Sequence, residues 1–291
     1  LAVGCNKPFC VTTNGEIAAI VPPAPDGGPV VAMPLMGHHC DGPKIAIVDV
    51  DGMMLNMDMV GLYSLGENPV ALFRERLERA ARDACVQAIV VRINSPGGGV
   101  TATDIMWNDL QRYKAMTGKP VVACLMDTGA GGGYYLATAA DQIVAHPTTV
   151  TGGIGVILNI YHMEDTMAQF NIFGAPIKAG EHIDIGTPIR QATPEQRDWL
   201  QQMADEFHAR FKQVVLEGRP GIDPAQEDLF DGRIFTAPQA VERRLVDQVG
   251  YMDDAVDLAR QLSGCPGASV VLLHRRNDKG RSPYAITPNM P

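Results

Sequence analysis

Residues 127–141 read DTGAGGGYYLATAAD. An apolar run of strand length, VVACL (121–125), leads into three consecutive glycines, Gly131, Gly132 and Gly133, and an apolar segment then predicts a helix over about 131–140. Glycine tolerates backbone conformations closed to other residues, so a strand–helix turn built from it can aim N–H groups into open space and hold an oxyanion. Such a turn is a place for chemistry, yet this one carries no nucleophile. RINSPGGGVTATD (92–104) repeats the arrangement one unit earlier. Two Gly-rich turns at the same sheet edge can converge on one cleft.

The surrounding pattern supplies the frame. KIAIVDV (44–50), AIVVRI (88–93), VVACL (121–125) and QIVAH (142–146) read as buried strands, and SVVLL (269–273) as a further one. Asn68 and Pro69 open a helix with an apolar stripe of Val70, Phe73, Leu77, Ala80, Ala81 and Ala84. Met106, Leu110 and Tyr113 line the next helix, which Gly118 and Pro120 end. Thr193, Pro194 and Gln196 make a capping box. Behind it Trp199, Met203, Phe207, Phe211 and Val214 recur at helical spacing, facing core or a neighbouring subunit. Strand–helix alternation implies an α/β fold with parallel strands joined by crossover helices. The organisation expected is an extended arm over 1–43, a main domain over 44–263, and a C-terminal strand and tail over 264–291.

A net charge of −9 argues against nucleic acid as a partner, which would need a basic stripe. No uncharged apolar stretch is long enough to span a membrane. Six cysteines form no CxxC pair, and Cys85 and Cys124 sit in apolar runs as small core residues. His38–Asp41 (HHCD) has metal-binding residue types on one short loop without a second ligand cluster, so neither metal nor cofactor is expected. LAVGC at the start resembles the end of a bacterial lipoprotein signal, with Cys5 as lipidation candidate, which points to a membrane-associated or periplasmic place in the bacterial cell envelope. Both arms carry apolar residues, Val21, Val30, Val31, Met33 and Leu35 in one and Tyr284, Ile286 and Met290 in the other, that match no helix or strand period. With Arg275, Arg276, Lys279 and Arg281 facing an acidic body, they are expected to dock on a neighbouring copy.

Five segments in order, INSPGGGVTATD, GGGYYLATAAD, TGGIGV, IKAGEHIDI and DGRIFTAPQAVERRLVDQVGYMDDAV, resemble the signal peptide peptidase (SppA) family, serine–lysine peptidases of the ClpP/crotonase-type fold. The resemblance covers about 44–263. It implies an oxyanion turn at Ser95, Pro96, Gly97 and Gly98, with Gly132 contributing from the second turn. It also implies a nucleophilic serine where Gly131 stands, before the matching Gly132, Gly133, Tyr134 and Tyr135. The general-base lysine of the family falls on Ile183, between the matching Lys178, Gly180 and Asp184; the family has a lysine at 178 besides the catalytic one.

Glycine has no hydroxyl and isoleucine takes no proton, so the dyad chemistry lacks both groups. Removing one member of such a set costs on the order of 10⁴ to 10⁶ in rate. The five serines, Ser64, Ser95, Ser263, Ser269 and Ser282, include none between 96 and 262, and His182 would be the one group near the lost base able to activate water. The expectation is a non-catalytic subunit that binds a peptide or protein segment in its cleft, or serves assembly alone, in a homo-oligomeric ring with exchanged arms. Residual serine peptidase activity is one alternative. Crotonase-like acyl-CoA chemistry is another, because GAGGGYYLATAAD also resembles the crotonase helix start; Tyr135 stands where those enzymes often carry a glutamate, and Asn94-Ser95-Pro96-Gly97 replaces their Ala-Gly-x-Asp-like loop.

Overall fold

The computed structural model describes residues 9–12, 18–21, 28–36, 42–58, 60–61, 64–65 and 67–275. In chain order the strands are β1 (Phe9–Thr12), β2 (Ala18–Val21), β3 (Val30–Met36), β4 (Lys44–Asp51), β5 (Val60–Gly61), β6 (Ser64–Leu65), β7 (Val86–Ser95), β8 (Val121–Ala130), β9 (Gln142–Ala145), β10 (Val150–Gly152), β11 (Ile234–Thr236), β12 (Gln248–Val249) and β13 (Ser269–Arg275). The helices are α1 (Pro69–Arg82), α2 (Val100–Thr117), α3 (Gly132–Ala137), α4 (Glu164–Gln169), α5 (Pro194–Gly218), α6 (Ala237–Glu242) and α7 (Met252–Leu262). Nine strands make one sheet in the order β11-β10-β8-β7-β4-β13-β3, with β9 branching from β8 and β12 pairing β9.

The central strands β4, β7 and β8 run parallel, and they are continuously apolar because both faces are covered. Val48, Val50, Ile89, Val91, Ile93, Val121, Ala123 and Leu125 join the core shared with α1, α2 and α3. The alternate residues Ile45, Ile47, Ala88, Val90, Val122 and Cys124 pack on Met252, Ala255, Val256 and Ala259 of α7. Cys124 is thus a core residue as expected, whereas Cys85 is half-buried. Strand β8 is shared: Val122–Leu125 pair with β9, while Thr128–Ala130 pair with β10. The split frees the end of β8 to deliver the Gly-rich turn into α3.

The sheet reaches past both expected domain boundaries. β13 lies parallel to β4, and β3 lies antiparallel to β13, so residues 30–36 of the expected arm form an edge strand on their own chain. Val30 and Ala32 pack against the α1 side, and Leu35 and Met36 against the α7 side. A bulge opposite Val270/Val271 shifts the register between Pro34 and Met36, and the switch of face erases the period-2 pattern that would have announced a strand. Arg275, expected to serve docking on another copy, ends β13 bound to Glu67 at 2.6 Å and Glu75 at 2.5 Å. Cys5, His38–Asp41, Arg276, Lys279, Arg281, Tyr284, Ile286 and Met290 lie outside the described residues.

Helix α3 closes sooner than its apolar run suggests. The Thr138 hydroxyl bonds the Tyr135 carbonyl, and the Ala139 and Ala140 N–H groups reach only three residues back, to Leu136 and Ala137. That is a tight final turn rather than a continuing helix. The start of α1 is as expected: the Asn68 side chain accepts from the N–H groups of Val70 (3.0 Å) and Ala71 (3.3 Å). Asn68→Ala removes this cap and should lower stability by about 1 kcal/mol in urea unfolding, with an unchanged m-value.

Candidate functional site

The two Gly-rich turns meet at the carboxyl ends of β7 and β8, and they meet through main chain. A Cβ at Gly97 would stand 2.6 Å from the Gly132 nitrogen, one at Gly133 2.5 Å from the Ser95 carbonyl oxygen, and one at Gly98 2.0 Å from the Met54 carbonyl oxygen. No side chain fits at these points without moving backbone. The loop after β4 supplies the floor: the Met54 N–H donates to the Gly97 carbonyl (3.0 Å), and the Gly99 N–H donates to the Met54 carbonyl (2.9 Å). The TGGIGV segment closes the other side, where the Gly131 N–H donates to the Gly152 carbonyl (2.9 Å).

These bonds sort the expected oxyanion donors. The Gly97 N–H is directed to the Ser95 hydroxyl at 3.1 Å, so it serves the turn and not a ligand. Of the three donors expected from the sequence, the Gly98 and Gly132 N–H groups have no protein acceptor among the described residues. Ser95 is fully buried with its hydroxyl on the Gly97 backbone, where it shapes the turn.

Gly131 has φ 52° and ψ −123°. A side-chain-bearing residue adopts such a backbone only under strain, and a strained strand-to-helix turn is the way several hydrolases present a nucleophile. Gly131 itself carries no side chain. A Cβ there would lie 2.8 Å from the Pro96 carbonyl oxygen.

Ile183 is not gathered into this cluster. It is exposed, and its backbone N–H reaches only the nearby Gly180 carbonyl, at 3.5 Å. The surrounding loop is tied by charge: Asp184 binds Lys178 at 2.9 Å and Arg190 at 2.8 Å, and these contacts, Arg190 first, hold its carboxyl well below the usual range. Lys178 is therefore committed to a structural pair. His182 stands edge-on to Trp199, with centroids 4.7 Å apart, and beside Gln196, which places it at the start of α5. Tyr135, at the crotonase glutamate position, is buried; its hydroxyl donates to Asp104, and its ring packs on Trp107 and Phe211. It serves the seat of α5 on the body.

Sequence reasoning passed over Met54 and Thr103. Met54 is buried, with its methyl 2.9 Å from where a Gly132 Cβ would be, and the Thr103 hydroxyl stands 2.6 Å from the same point. Nothing in their residue types announces this. The signal was their spacing from the glycines, Met54 just after a strand and Thr103 on the first turn of α2. It also passed over Asp51, at the root of the Met54 loop. Burial, helped by the neighbouring Asp49 charge, pushes the Asp51 carboxyl above its ordinary value of 3.8, against the Arg92 charge that lowers it.

With this geometry, the likeness to known proteins has a structural counterpart. Residues 114–265 match Peptidase family S49. A chain from Enterococcus faecium that carries the name signal peptide peptidase SppA is 30% identical over 228 residues, covering 78% of this chain and 66% of its own length. Protease 4 of Salmonella typhi is 30% identical over 222 residues, 76% of this chain and 35% of the relative. The chloroplastic serine protease SPPA of Arabidopsis thaliana is 31% identical over 193 residues, 66% of this chain and 28% of the relative. Among solved structures, a mutant form of the 1510-N membrane-bound stomatin-specific protease superposes with a TM-score of 0.45 and 14% identity, over 74% of this chain and 84% of that one. The chain belongs to peptidase family S49, the SppA family, and its fold is the α/β ClpP/crotonase type. It spans 66% of the Enterococcus chain and about a third of the other two relatives.

Two results should follow. Gly98→Ala forces a Cβ to within 2.0 Å of the Met54 carbonyl oxygen and should cost more than about 3 kcal/mol, whereas Gly131→Ser, with backbone strain of about 1–3 kcal/mol and a milder 2.8 Å approach to the Pro96 carbonyl oxygen, should also destabilise but by less than Gly98→Ala; urea unfolding of both variants gives the comparison. Asp51→Asn should be more stable than the parent near neutral pH, because a raised folded-state value means stability is lost as pH rises. The difference should shrink as the pH falls toward 3.8, where the acid is protonated folded or unfolded. Thermal midpoints of the pair between pH 4 and 8 read this directly.

Proposed function

We propose that this chain is a non-catalytic member of the SppA family, which holds an extended peptide segment in its cleft and works as a homo-oligomer. The observation that supports the reading is Gly131: a strained strand-to-helix turn holds a residue without a side chain at the position where the family resemblance implies a nucleophile. The two remaining donors, Gly98 and Gly132, suit a peptide carbonyl of a bound segment as well as a reacting one. Holding a ground-state carbonyl is binding without turnover, since acceleration needs interactions made more strongly in the transition state.

The support for self-association is a surface. Ile157, Tyr161, Phe170, Phe173, Ile177 and Ile183 are exposed along one stretch of chain, and Trp199 and Met203 of α5 are exposed as well. Phe211 and Val214 of the same helical stripe are buried. Apolar residues gathered in this way mark an interaction face, and a second copy is the partner we assign to it. Ile183 belongs to that face, so in this reading the base position meets a cleft only in the assembly. A pure assembly subunit is the second reading, favoured by the same surface. Among the described residues no helix is long and apolar enough to cross a membrane. A place in the bacterial cell envelope, with lipid on Cys5, is part of the proposal.

Casein and signal-peptide substrates should not be cleaved, and serine-directed phosphonates should not label the chain. Steady turnover by the purified protein would overturn the reading. Gly131→Ser with Ile183→Lys should restore weak peptidase activity while either change alone should not, because a serine needs its base. A folded double variant that stays inert and an unmodified chain that fails to retain any peptide would favour the assembly-only role.

A further inference from the structure

Strand β4 ends on a carboxylate. Asp49 and Asp51 share one face of the sheet, and each has a neighbour across on β7: Arg92 for Asp49 and Asn94 for Asp51. The first pair is a buried salt bridge of 2.8 Å. The second is no charge pair, because Asn94 is neutral and its side-chain oxygen already accepts from the Thr128 N–H at 3.2 Å. Both Asp51 carboxylate oxygens are buried with no hydrogen-bond partner among the described residues.

The charges around Asp51 come from four elements. β4 brings Asp49, β7 brings Arg92, β8 is followed round to the exposed Asp127, and α1 brings Arg76, which donates to the Asp49 carbonyl at 2.8 Å. α2 adds only Met106 to this wall. Arg92 is engaged by Asp49, so ionisation of Asp51 sets a second negative charge beside the first. A cavity of about 210 Å³, walled by these groups with Val50 and Met126, has room for water to carry the proton in and out.

The chain after Asp51 turns this charge into leverage. Gly52 bends it at φ 71°, with its N–H on the Asn94 carbonyl at 3.0 Å. Two residues on, Met54 donates to the Gly97 carbonyl and accepts from the Gly99 N–H, so it grips the first Gly-rich turn on either side of the Gly98 donor. We propose that Asp51 is a proton-operated latch on this loop: protonated, it lets Met54 close on the turn, and ionised, it loosens the loop and with it the Gly98 donor. In an open loop the carboxyl meets water and titrates near 3.8, whereas in the closed loop burial and Asp49 raise it. The closed form therefore keeps its full advantage at and below 3.8 and loses it as pH climbs through the raised value. The latch works the same way whether the cleft holds a peptide or serves assembly alone.

The test is amide hydrogen exchange of the full chain between pH 4 and 8, corrected at each pH for the intrinsic exchange rate. Protection of the Met54 and Gly99 N–H groups should fall by roughly threefold or more across this range in the parent. In Asp51→Asn it should stay level, and Asp51→Ser serves as the uncharged substitute if the asparagine variant does not fold. The Gly131 N–H, held by the Gly152 carbonyl, and the Leu72 N–H, held by the Asn68 carbonyl, should show no such fall in either protein. Level protection at Met54 and Gly99 in the parent overturns the proposal. The same fall in the uncharged variant overturns it too, as does a fall shared by Gly131 and Leu72, which would report softening of the whole fold.

Discussion

Main chain lies directly on main chain where the loop after β4, the turn after β7 and the turn after β8 come together. Three short polypeptide segments approach so closely that a methyl group at Gly97, Gly98 or Gly133 would overlap backbone atoms of another segment. The parallel order of β4, β7 and β8 sets their carboxyl ends side by side, and the missing side chains let the ends close. The buried Ser95, the Met54 backbone pair and the Gly131 bond to Gly152 are all ways of holding that contact. The cleft is consequently a property of the backbone, set by where side chains are missing.

That dependence explains what could be read from residues alone. Glycine runs after apolar strands report their own geometry, so both turns and the strands that feed them were legible. So was the Asn68 cap, because a side chain that satisfies helix N–H groups is a local matter. The division of labour inside the turn was not: Gly97 and Gly98 look alike in sequence, and only the Ser95 hydroxyl decides which N–H remains for a ligand. Met54 and Thr103 were hidden for the same reason, since their roles come from positions brought together across the sheet.

The edge strand β3 shows a different limit. Its apolar residues serve two cores on opposite faces, and the bulge that allows this destroys the alternation on which strand reading rests. The α5 stripe shows a third. One spacing runs through Trp199, Met203, Phe211 and Val214, yet the helix leaves the body partway along, so one periodic pattern is half core and half exposed face. Periodicity identifies the helix and its apolar side; where the covering surface stops is tertiary information.

The sheet order has a consequence for how the chain comes to be. The latest strand among the described residues, β13, is inserted between two early ones, β4 on one side and β3 on the other. During synthesis both neighbours emerge long before their shared partner, and each presents an open edge in the meantime. Pairings of such sequence separation are slow to form, and unpaired edges invite association with other chains. The sheet is thus buttoned by a late strand, and the interval before β13 arrives is when a chaperone would matter most.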